Sequence, residues 1–467
     1  MQRVQTVTNQ PAWRTGEGVF VGVALLAFMA PRFLLSGYFG VLPFDFLPVT
    51  RLGLIAYVSS AIALGLLALN MQQAVAAARR IPLVGALVAL ALLSAIWSLD
   101  PPTTVRSSIE LRLTGLFGLY VAVRFRPAEL VRSLIGTAAA AAVLSLLAVV
   151  IEPELAIHTR VVTGSWRGIM QHKNHLGLMM GVGAVASWIA LISRDEKPVP
   201  PGVLWAALGL FVGMMALSAS RTAMIVLVAV FAVSYLLQHG LNAQPAPLAA
   251  IAVIVVVFGA ATVLDIERQL YPVLVPAQPA AEAPADPQPA TPDPGTAAGS
   301  EGSGSQPRER PLLFTVNRFL TGRPLLWRAV TIRLMDRSPV VGFGMDSFWP
   351  SSLGQDLPVN WAGQGSPGEA HNGYIETALD TGFIGAGLYI VTLAWALVRA
   401  LRPDRDFTLA AGLLPAALLV LIAVHNLAES SALNPFDTLF VLFVAAAVYA
   451  SGDPQTVSVG VESQPVP

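Results

Sequence analysis

The run LIGTAAAAAVLSLLAVVI at Leu134–Ile151 has eighteen residues and no charge. A helix that crosses the hydrocarbon core of a bilayer needs about 20 mostly apolar residues. The whole chain shares this character, because 55% of its 467 residues are hydrophobic and only 12% are charged. Soluble domains carry about 25% charged residues. The sequence therefore predicts a membrane protein.

Twelve apolar runs predict transmembrane helices. They are 18–35, 52–69, 81–97, 111–125, 134–151, 176–192, 203–217, 222–237, 248–264, 383–398, 409–424 and 436–450. The fourth run is the weakest, since it is short and has arginine at both ends. The seventh and eighth could instead be one long helix broken at Ser218-Ala219-Ser220. We predict an all-α polytopic membrane protein with about twelve transmembrane helices.

The predicted helices fall into two groups on either side of one long loop. Helices 1–9 occupy residues 1–264, the loop occupies 265–372, helices 10–12 occupy 373–451, and a tail follows at 452–467. The loop has two parts. Residues 277–306 are Pro, Ala, Gly and Ser with a few acids, which predicts a disordered linker. Residues 311–350 have aromatic side chains and helical spacing, so we expect them to be ordered.

Charge gives an orientation and excludes several classes of function. With both termini inside, the inside segments carry twelve Lys and Arg and the short outside segments carry eight, which favours this topology. The long loop then lies outside. A net charge of zero argues against nucleic-acid binding. The absence of Cys excludes disulfides, thiolate metal sites and a Cys nucleophile.

Arginines on the predicted outer side are the first candidates for a site. Arg221 lies between two apolar runs, where a cation is costly unless it meets an anion, although it could also extend to lipid headgroups. Residues 308–337 carry seven arginines and a net charge of +5. Arg suits bidentate phosphate recognition, whereas an amphipathic helix on anionic lipid is the alternative for most of them. Arg323 differs, because Arg323-Pro324 marks a helix N-terminus, which favours anions.

Two histidine-containing segments are further candidates. In Glu369-Ala370-His371-Asn372-Gly373-Tyr374, a histidine at the membrane boundary follows an acid and could act as a general base. The alternative is a helix-capping Asn with a structural His beside it. In Arg167–His175, His172 and His175 could share a helical face as metal ligands, but polar lining of a substrate groove is the favoured interpretation.

Other motifs carry less chemistry. Asp404-Arg405-Asp406 falls in a predicted inside loop, far from the arginines and histidines. Gly342-Phe343-Gly344 lacks a preceding strand and a third glycine, so it predicts a turn. The chain has no P-loop, which argues against ATP-driven transport.

Several of these segments together resemble the bacterial O-antigen ligase and exopolysaccharide polymerase superfamily. The matching pieces are SASRTA at 218–223, GRPLLWRAV at 322–330, SPVVGFGMDSFW at 338–349 and AHNGYIETALDTGFIG at 370–385. GIMQHKNHLG at 168–177 and HNLAES at 425–430 are similar to the polymerase branch, as in succinoglycan-type polymerases. The first five predicted helices match only as generic apolar helices, and the Pro/Ala-rich linker departs from the family.

The resemblance implies a function in the bacterial inner membrane. A glycan held on undecaprenyl diphosphate is transferred, on the periplasmic side, to a hydroxyl acceptor. The acceptor is another lipid-linked glycan in a polymerase, which the last two segments favour, or lipid A–core in a ligase. A transporter of lipid-linked glycans is the alternative from another class.

The resemblance also implies roles for residues. Arg221 and Arg323 would hold the diphosphate without a metal or cofactor, and His371 would take the proton, with Glu369 or Glu376 as its orienting partner. Direct displacement would invert the anomeric centre. The implied substrate-binding residues are Arg167, His172, Lys173, Asn174, Arg328, Asn372, Tyr374 and Glu429.

We predict the outcome of reporter fusions from the charge distribution and the twelve runs. Fusions at inside positions should be active only with a cytoplasmic reporter, and those at outside positions only with a periplasmic reporter. A cytoplasmic signal at Ser300 would contradict both the topology and the implied chemistry. The inside positions are Arg14, Arg79, Arg126 and Arg402, and the outside positions are Gly164, Ser300 and Ser366.

Overall fold

The computed structural model describes residues 12–29, 51–158, 164–193, 197–239, 323–357, 367–402 and 412–452. These residues form helices and no strand, with a single isolated bridge between Ile157 and Trp166. The first eight helices are α1 (Ala12–Phe28), α2 (Arg51–Ala68), α3 (Met71–Arg80), α4 (Pro82–Leu93), α5 (Pro101–Arg124), α6 (Pro127–Ile151), α7 (Pro153–Ala156) and α8 (Lys173–Ile192). The others are α9 (Pro201–Ser218), α10 (Arg221–His239), α11 (Arg323–Arg337), α12 (Ser352–Gln355), α13 (Gly373–Ala400), α14 (Leu414–His425) and α15 (Thr438–Ser451).

Five of the described helices are long and apolar enough to cross a membrane. They are α6, α8, α9, α10 and α13. A sixth candidate is the pair α2 and α3, which is bent by 103°. α1, α4, α14 and α15 are apolar but shorter. The protein is thus an all-helical multi-pass membrane protein. The count of twelve stays a prediction, because the run 248–264 lies outside the described residues.

The bundle is organised around α8, which is the most buried of the long apolar helices. It packs against α6, α9 and α10. The Trp188 ring on α8 stacks on Phe231 of α10 at 4.5 Å between centroids, and its Nε1 donates to Ser234 Oγ at 3.0 Å. That hydrogen bond satisfies the indole N–H inside an apolar core. The N-terminus of α8, which carries Lys173 and Asn174, is therefore fixed relative to α10.

The two helices that flank residues 218–220 are separate. α9 ends at Ser218, and Ala219 has left-handed backbone geometry with φ of 50°. α10 then begins at Arg221. This break confirms two helices in place of one long one. The helix that contains the predicted fourth run is longer than that run. It begins at Pro101, and its added N-terminal part carries Arg106 and Glu110.

The part of the long loop that the structure describes forms a small second core. Leu326, Val330 and Leu334 lie at helical spacing on α11 and pack with Phe343, Phe348, Trp349 and residues of α13. α11 begins at Arg323 and ends at Arg337, as the Pro324 and Ser338-Pro339 signals predict. The linker predicted at 277–306 and residues 404–406 lie outside the described residues.

The turn at 342–344 ties this second core to the main bundle. Gly344 has φ of 96°, and a Cβ there would lie 2.3 Å from Ser98 Oγ, so only glycine fits. Thr104 Oγ1 donates to Met345 O at 2.8 Å, and Leu99 N donates to Phe343 O at 2.9 Å. The glycine pair therefore serves a tight structural turn, as predicted.

α13 is interrupted at Gly382, whose φ of 68° and ψ of −170° are not helical. Phe383 N and Ile384 N on the far side donate to Pro339 O and Val340 O of the loop. The predicted run 383–398 begins directly after this break. The turns of α13 before this break, from Gly373 to Thr381, follow directly after the segment that carries His371.

Candidate active site

His371 is held in an unusual backbone conformation at the start of α13. Its φ is 51°, in the left-handed region that costs a non-glycine residue about 1 kcal/mol or more. Asn372 then caps the helix, because its Oδ1 accepts hydrogen bonds from Tyr374 N and Ile375 N at 3.0 and 3.1 Å. The capping interpretation of Asn372 is therefore confirmed. The cap therefore fixes the direction of the backbone at His371, which directly precedes it.

The segment after α14 lies directly against this cap. Asn372 N donates to Ser430 Oγ, and Asn372 Nδ2 donates to Leu427 O, each at 3.1 Å. Gly373 N donates to Asn426 O at 2.8 Å, and a Cβ on Gly373 would lie 2.0 Å from Asn426 Oδ1. The motifs around His371 and Glu429, which are distant in sequence, are thus one structural unit.

Glu429 is the centre of the site. Its Oε1 accepts from Asn174 Nδ2 at 2.6 Å and from Arg323 Nη2 at 2.7 Å. Its Oε2 lies 3.5 Å from His371 Nδ1, which is also 3.0 Å from Glu369 Oε1. The Arg323 and Glu429 side chains are each 11% exposed. One largely buried carboxylate therefore joins α8, α11 and the start of α13.

The charges in this cluster stabilise one another. Burial alone would raise the pKa of Glu429, but the hydrogen bond from His371 and the charge of Arg323 lower it to about 2. Burial alone would lower the pKa of His371, but hydrogen bonds to Glu369 and Glu429 raise it to about 9. At neutral pH the Glu429 carboxylate is therefore ionised, and the His371 imidazole is protonated before a substrate binds.

Helix N-termini surround this cluster. Asn174 lies in the first turn of α8, Arg323 is the first residue of α11, and His371 precedes α13. Arg221 is the first residue of α10, and the hydroxyl of its neighbour Ser220 donates to Asn174 Oδ1 at 3.2 Å. Helix N-termini carry positive partial charge and N–H donors. The arrangement therefore favours an anionic ligand.

A cleft of about 450 Å³ opens beside the cluster. Glu369 and Glu429 line it, and both contact His371. Its volume lies within the range of about 300–1,000 Å³ that is usual for ligand pockets. The other polar residues that line the cleft are Tyr57, Arg106, Glu110, Gln171, Asn174, His175, His425, Ser430, Ser431, Asn434 and Asp437.

Several predicted site residues make structural contacts instead. Glu376 accepts from Trp349 Nε1 at 2.5 Å and from Ala370 N at 2.6 Å, so it braces the His371 segment and its described contacts are not with the imidazole. Arg167 donates to Leu155 O and Glu154 O beside α7. Tyr374 donates its hydroxyl to Ala423 O.

Three further predicted residues, Arg328, Lys173 and His172, have different surroundings. Arg328 is exposed, opposite the face of α11 that Leu326 and Val330 bury. Lys173 Nζ donates to Ala219 O at 3.4 Å, next to Ser220. His172 caps α8 through Nδ1, which accepts from Asn174 N at 3.3 Å. Burial, and then the neighbouring His158, lower the pKa of His172 to about 3, so it is neutral.

Glu369, His371 and Glu429 could also hold a metal ion, because their ligand atoms all lie within 4.8 Å of one another. The less favoured interpretation of His172 and His175 as metal ligands concerns a different pair, whose rings lie 6.4 Å apart between centroids. An ion at Glu429 would share the carboxylate with Arg323. The cation of Arg323 therefore competes directly with a metal for this position.

Tyr57, Arg106 and Glu110 are not among the predicted site residues. They lie on α2 and α5, in the part of the chain that resembles the family only as generic apolar helices. Arg106 and Glu110 are four residues apart and form an ion pair at 3.0 Å. A charged i,i+4 pair at the start of an apolar helix is the signal in the sequence that points to them.

Residues 206–390 match the family model described as O-Antigen ligase. The matched range includes Arg221, Arg323, Glu369 and His371, whereas Asn174 and Glu429 lie outside it. No curated protein gives a match. This match supports the resemblance to the O-antigen ligase superfamily that the motifs predict, and with it a glycan-transfer function in a membrane.

Proposed function

We propose that the protein transfers a glycan from undecaprenyl diphosphate to a hydroxyl acceptor at the periplasmic face of the bacterial inner membrane. The observation that carries the proposal is the Glu429 cluster. It holds a buried arginine and a protonated histidine on Glu429, and Glu429 itself lines the cleft together with Glu369 and Asn174. Such a site suits a lipid diphosphate, whose negative charge grows as it leaves.

Arg323 and Arg221 hold the diphosphate in this proposal. Arg323 Nη2 is bound to Glu429, while its buried Nε makes no hydrogen bond to the described residues. Glu429 keeps the guanidinium in place before the substrate arrives. Arg221 approaches from the N-terminus of α10, beside the Asn174 contact of Ser220. In this proposal neither arginine needs a metal ion to hold the diphosphate.

The transfer is a direct displacement. The acceptor oxygen attacks the anomeric carbon, the bond from that carbon to the diphosphate oxygen breaks, and undecaprenyl diphosphate leaves with the electron pair. The anomeric centre is inverted. The acceptor proton passes to the neutral form of His371, whose ring Glu369 and Glu429 orient through Nδ1. Glu369 is 41% exposed and lines the cleft, so it borders the path that the acceptor takes.

The acceptor distinguishes the candidate functions. We favour a polymerase that joins lipid-linked repeat units, because Asn174 of the HKN segment and Glu429 of the HNLAES segment contact each other. A ligase that uses lipid A–core is the alternative, and the family match supports glycan transfer by either. A transporter of lipid-linked glycans would need no residue to take a proton.

The deciding experiment supplies the purified protein with a lipid-diphosphate glycan, with and without lipid A–core. A ladder of products without core supports the polymerase, and a product that appears only with core supports the ligase. No product under either condition would contradict glycan transfer and favour transport. Activity that is lost in EDTA and restored by Mg²⁺ would overturn the metal-independent mechanism and assign Glu369, His371 and Glu429 as metal ligands.

Arg221→Lys and Arg323→Lys should each abolish most transfer, because lysine keeps the charge and loses the planar pair of donors. We expect a loss of roughly 2–4 kcal/mol in barrier stabilisation. The measurement is product formation beside binding of labelled donor in nanodiscs. The matched control is Arg337→Lys at the exposed end of α11. Normal turnover in Arg221→Lys would leave Arg221 as a membrane anchor.

The rate of transfer should rise with pH between 7 and 9. His371 can take a proton only when neutral, and its pKa of about 9 leaves the neutral form in the minority at pH 7. We expect the rate of transfer to rise roughly tenfold per pH unit below this pKa and to reach a plateau above it. A rate that is constant or falls between pH 7 and 9 would assign the proton to Glu369.

His371→Gln should bind donor but turn over roughly 10²–10⁴ times more slowly.

A further inference from the structure

The cleft has a second polar wall, on different helices from the Glu429 cluster. It is formed by Tyr57 of α2 and by Arg106 and Glu110 of α5. Tyr57 donates its hydroxyl to Glu110 Oε1, and Arg106 Nε donates to the same oxygen at 3.0 Å. The Glu110 side chain is only 10% exposed, whereas that of Arg106 is 68% exposed. The carboxylate is therefore fixed by two partners while the guanidinium stays accessible.

Donors and acceptors remain available on this wall. Both hydrogen bonds that Glu110 accepts from described residues end on Oε1, so Oε2 can still accept one from a ligand. The exposed guanidinium of Arg106 is accessible to a ligand as a donor. Neighbouring sugar hydroxyls both donate and accept, and a carboxylate oxygen beside a guanidinium provides the matching acceptor and donors.

An aromatic ring borders the same wall. Phe436 lines the cleft. Its ring packs edge-on against Tyr57 at 5.1 Å between centroids and lies tilted against Phe28 at 5.7 Å. Its φ of 53° is unusual for a bulky residue and is stabilised by Phe436 N, which donates to Thr114 Oγ1 at 2.9 Å. A ring fixed at this position offers an apolar surface to the C–H face of a sugar.

The charge of this second wall suits a different ligand from the diphosphate. Arg106 and Glu110 neutralise each other, so the wall has no net charge, in contrast to the helix N-termini around Arg323. A neutral pair has little attraction for a dianion. Ser431 and Asn434, which are also neutral and polar, line the cleft as well.

We propose that Tyr57, Arg106, Glu110 and Phe436 form the acceptor subsite, which binds the sugar ring whose hydroxyl receives the glycan. This assignment rests on the proposed function, because it gives the acceptor its place in the same cleft. The donor diphosphate then lies where Glu369 and Glu429 line the cleft and Arg323 contacts Glu429, and the acceptor sugar lies where α2 and α5 line the same cleft.

Direct binding tests the subsite independently of transfer. The probe is the oligosaccharide repeat unit released by acid from the host's own surface polysaccharide, which carries no diphosphate. Its binding to the full-length protein in nanodiscs is measured by saturation-transfer NMR, beside binding of labelled lipid-diphosphate glycan. Glu110→Gln removes the charge of the carboxylate, and Tyr57→Phe removes one hydroxyl and keeps the ring. Glu154→Gln, at an exposed position on α7, is the matched control.

We expect Glu110→Gln to weaken oligosaccharide binding at least tenfold and Tyr57→Phe to weaken it severalfold, with donor binding and Glu154→Gln unchanged. In the transfer assay the acceptor KM should rise by the same factors. If the protein transfers no glycan, loss of oligosaccharide binding in these variants still supports the subsite while the proposed function fails. Unchanged oligosaccharide binding in both variants would overturn the subsite. Tighter donor binding in Glu110→Gln with unchanged oligosaccharide binding would assign this wall to the diphosphate.

Discussion

A buried carboxylate must be neutralised where it lies, and Glu429 meets this requirement with partners from three other parts of the chain. Asn174, Arg323 and His371 each contact it. Removing one member of such a buried group leaves an uncompensated charge, which costs about 3–5 kcal/mol. The position of the first turns of α8 and α11 relative to the start of α13 therefore depends on this one side chain. The same interaction keeps cations next to Glu429, a lining residue of the cleft, before any substrate is present.

The backbone around Glu429 is built to support this geometry. The cap provided by Asn372, the close approach of Gly373 to Asn426 and the hydrogen bonds to Ser430 and Leu427 hold two loops together. Glu376 adds a third support through Trp349 and Ala370. Most of these groups need not touch a ligand. Their effect is to position His371 and Arg323, and preorganised charge of this kind is a large part of catalysis in many enzymes.

Much of this arrangement could be predicted from the sequence. Apolar runs predict the helices, because a bilayer sets a minimum length and composition, and Pro324 with Ser338-Pro339 marks both ends of α11. Arg323, Glu369 and His371 were singled out by residue type, and the structure brings them together through Glu429. Local patterns do not give contacts over more than 200 residues, such as Asn174 with Glu429. For the same reason Glu376 is predicted beside His371 but contacts Trp349, and the second wall of the cleft is not predicted.

The central claim is that Glu429 and Arg323 act as one unit in holding the donor. The direct measurement is a double-mutant cycle on the binding of labelled lipid-diphosphate glycan, with Glu429→Gln, Arg323→Lys and the double variant in nanodiscs. Because Glu429 acts through Arg323, the account predicts strong coupling, with the double variant binding little worse than Arg323→Lys and a coupling energy of about 1 kcal/mol or more. Effects that add within about 0.5 kcal/mol would show that the two residues act independently and would contradict the account.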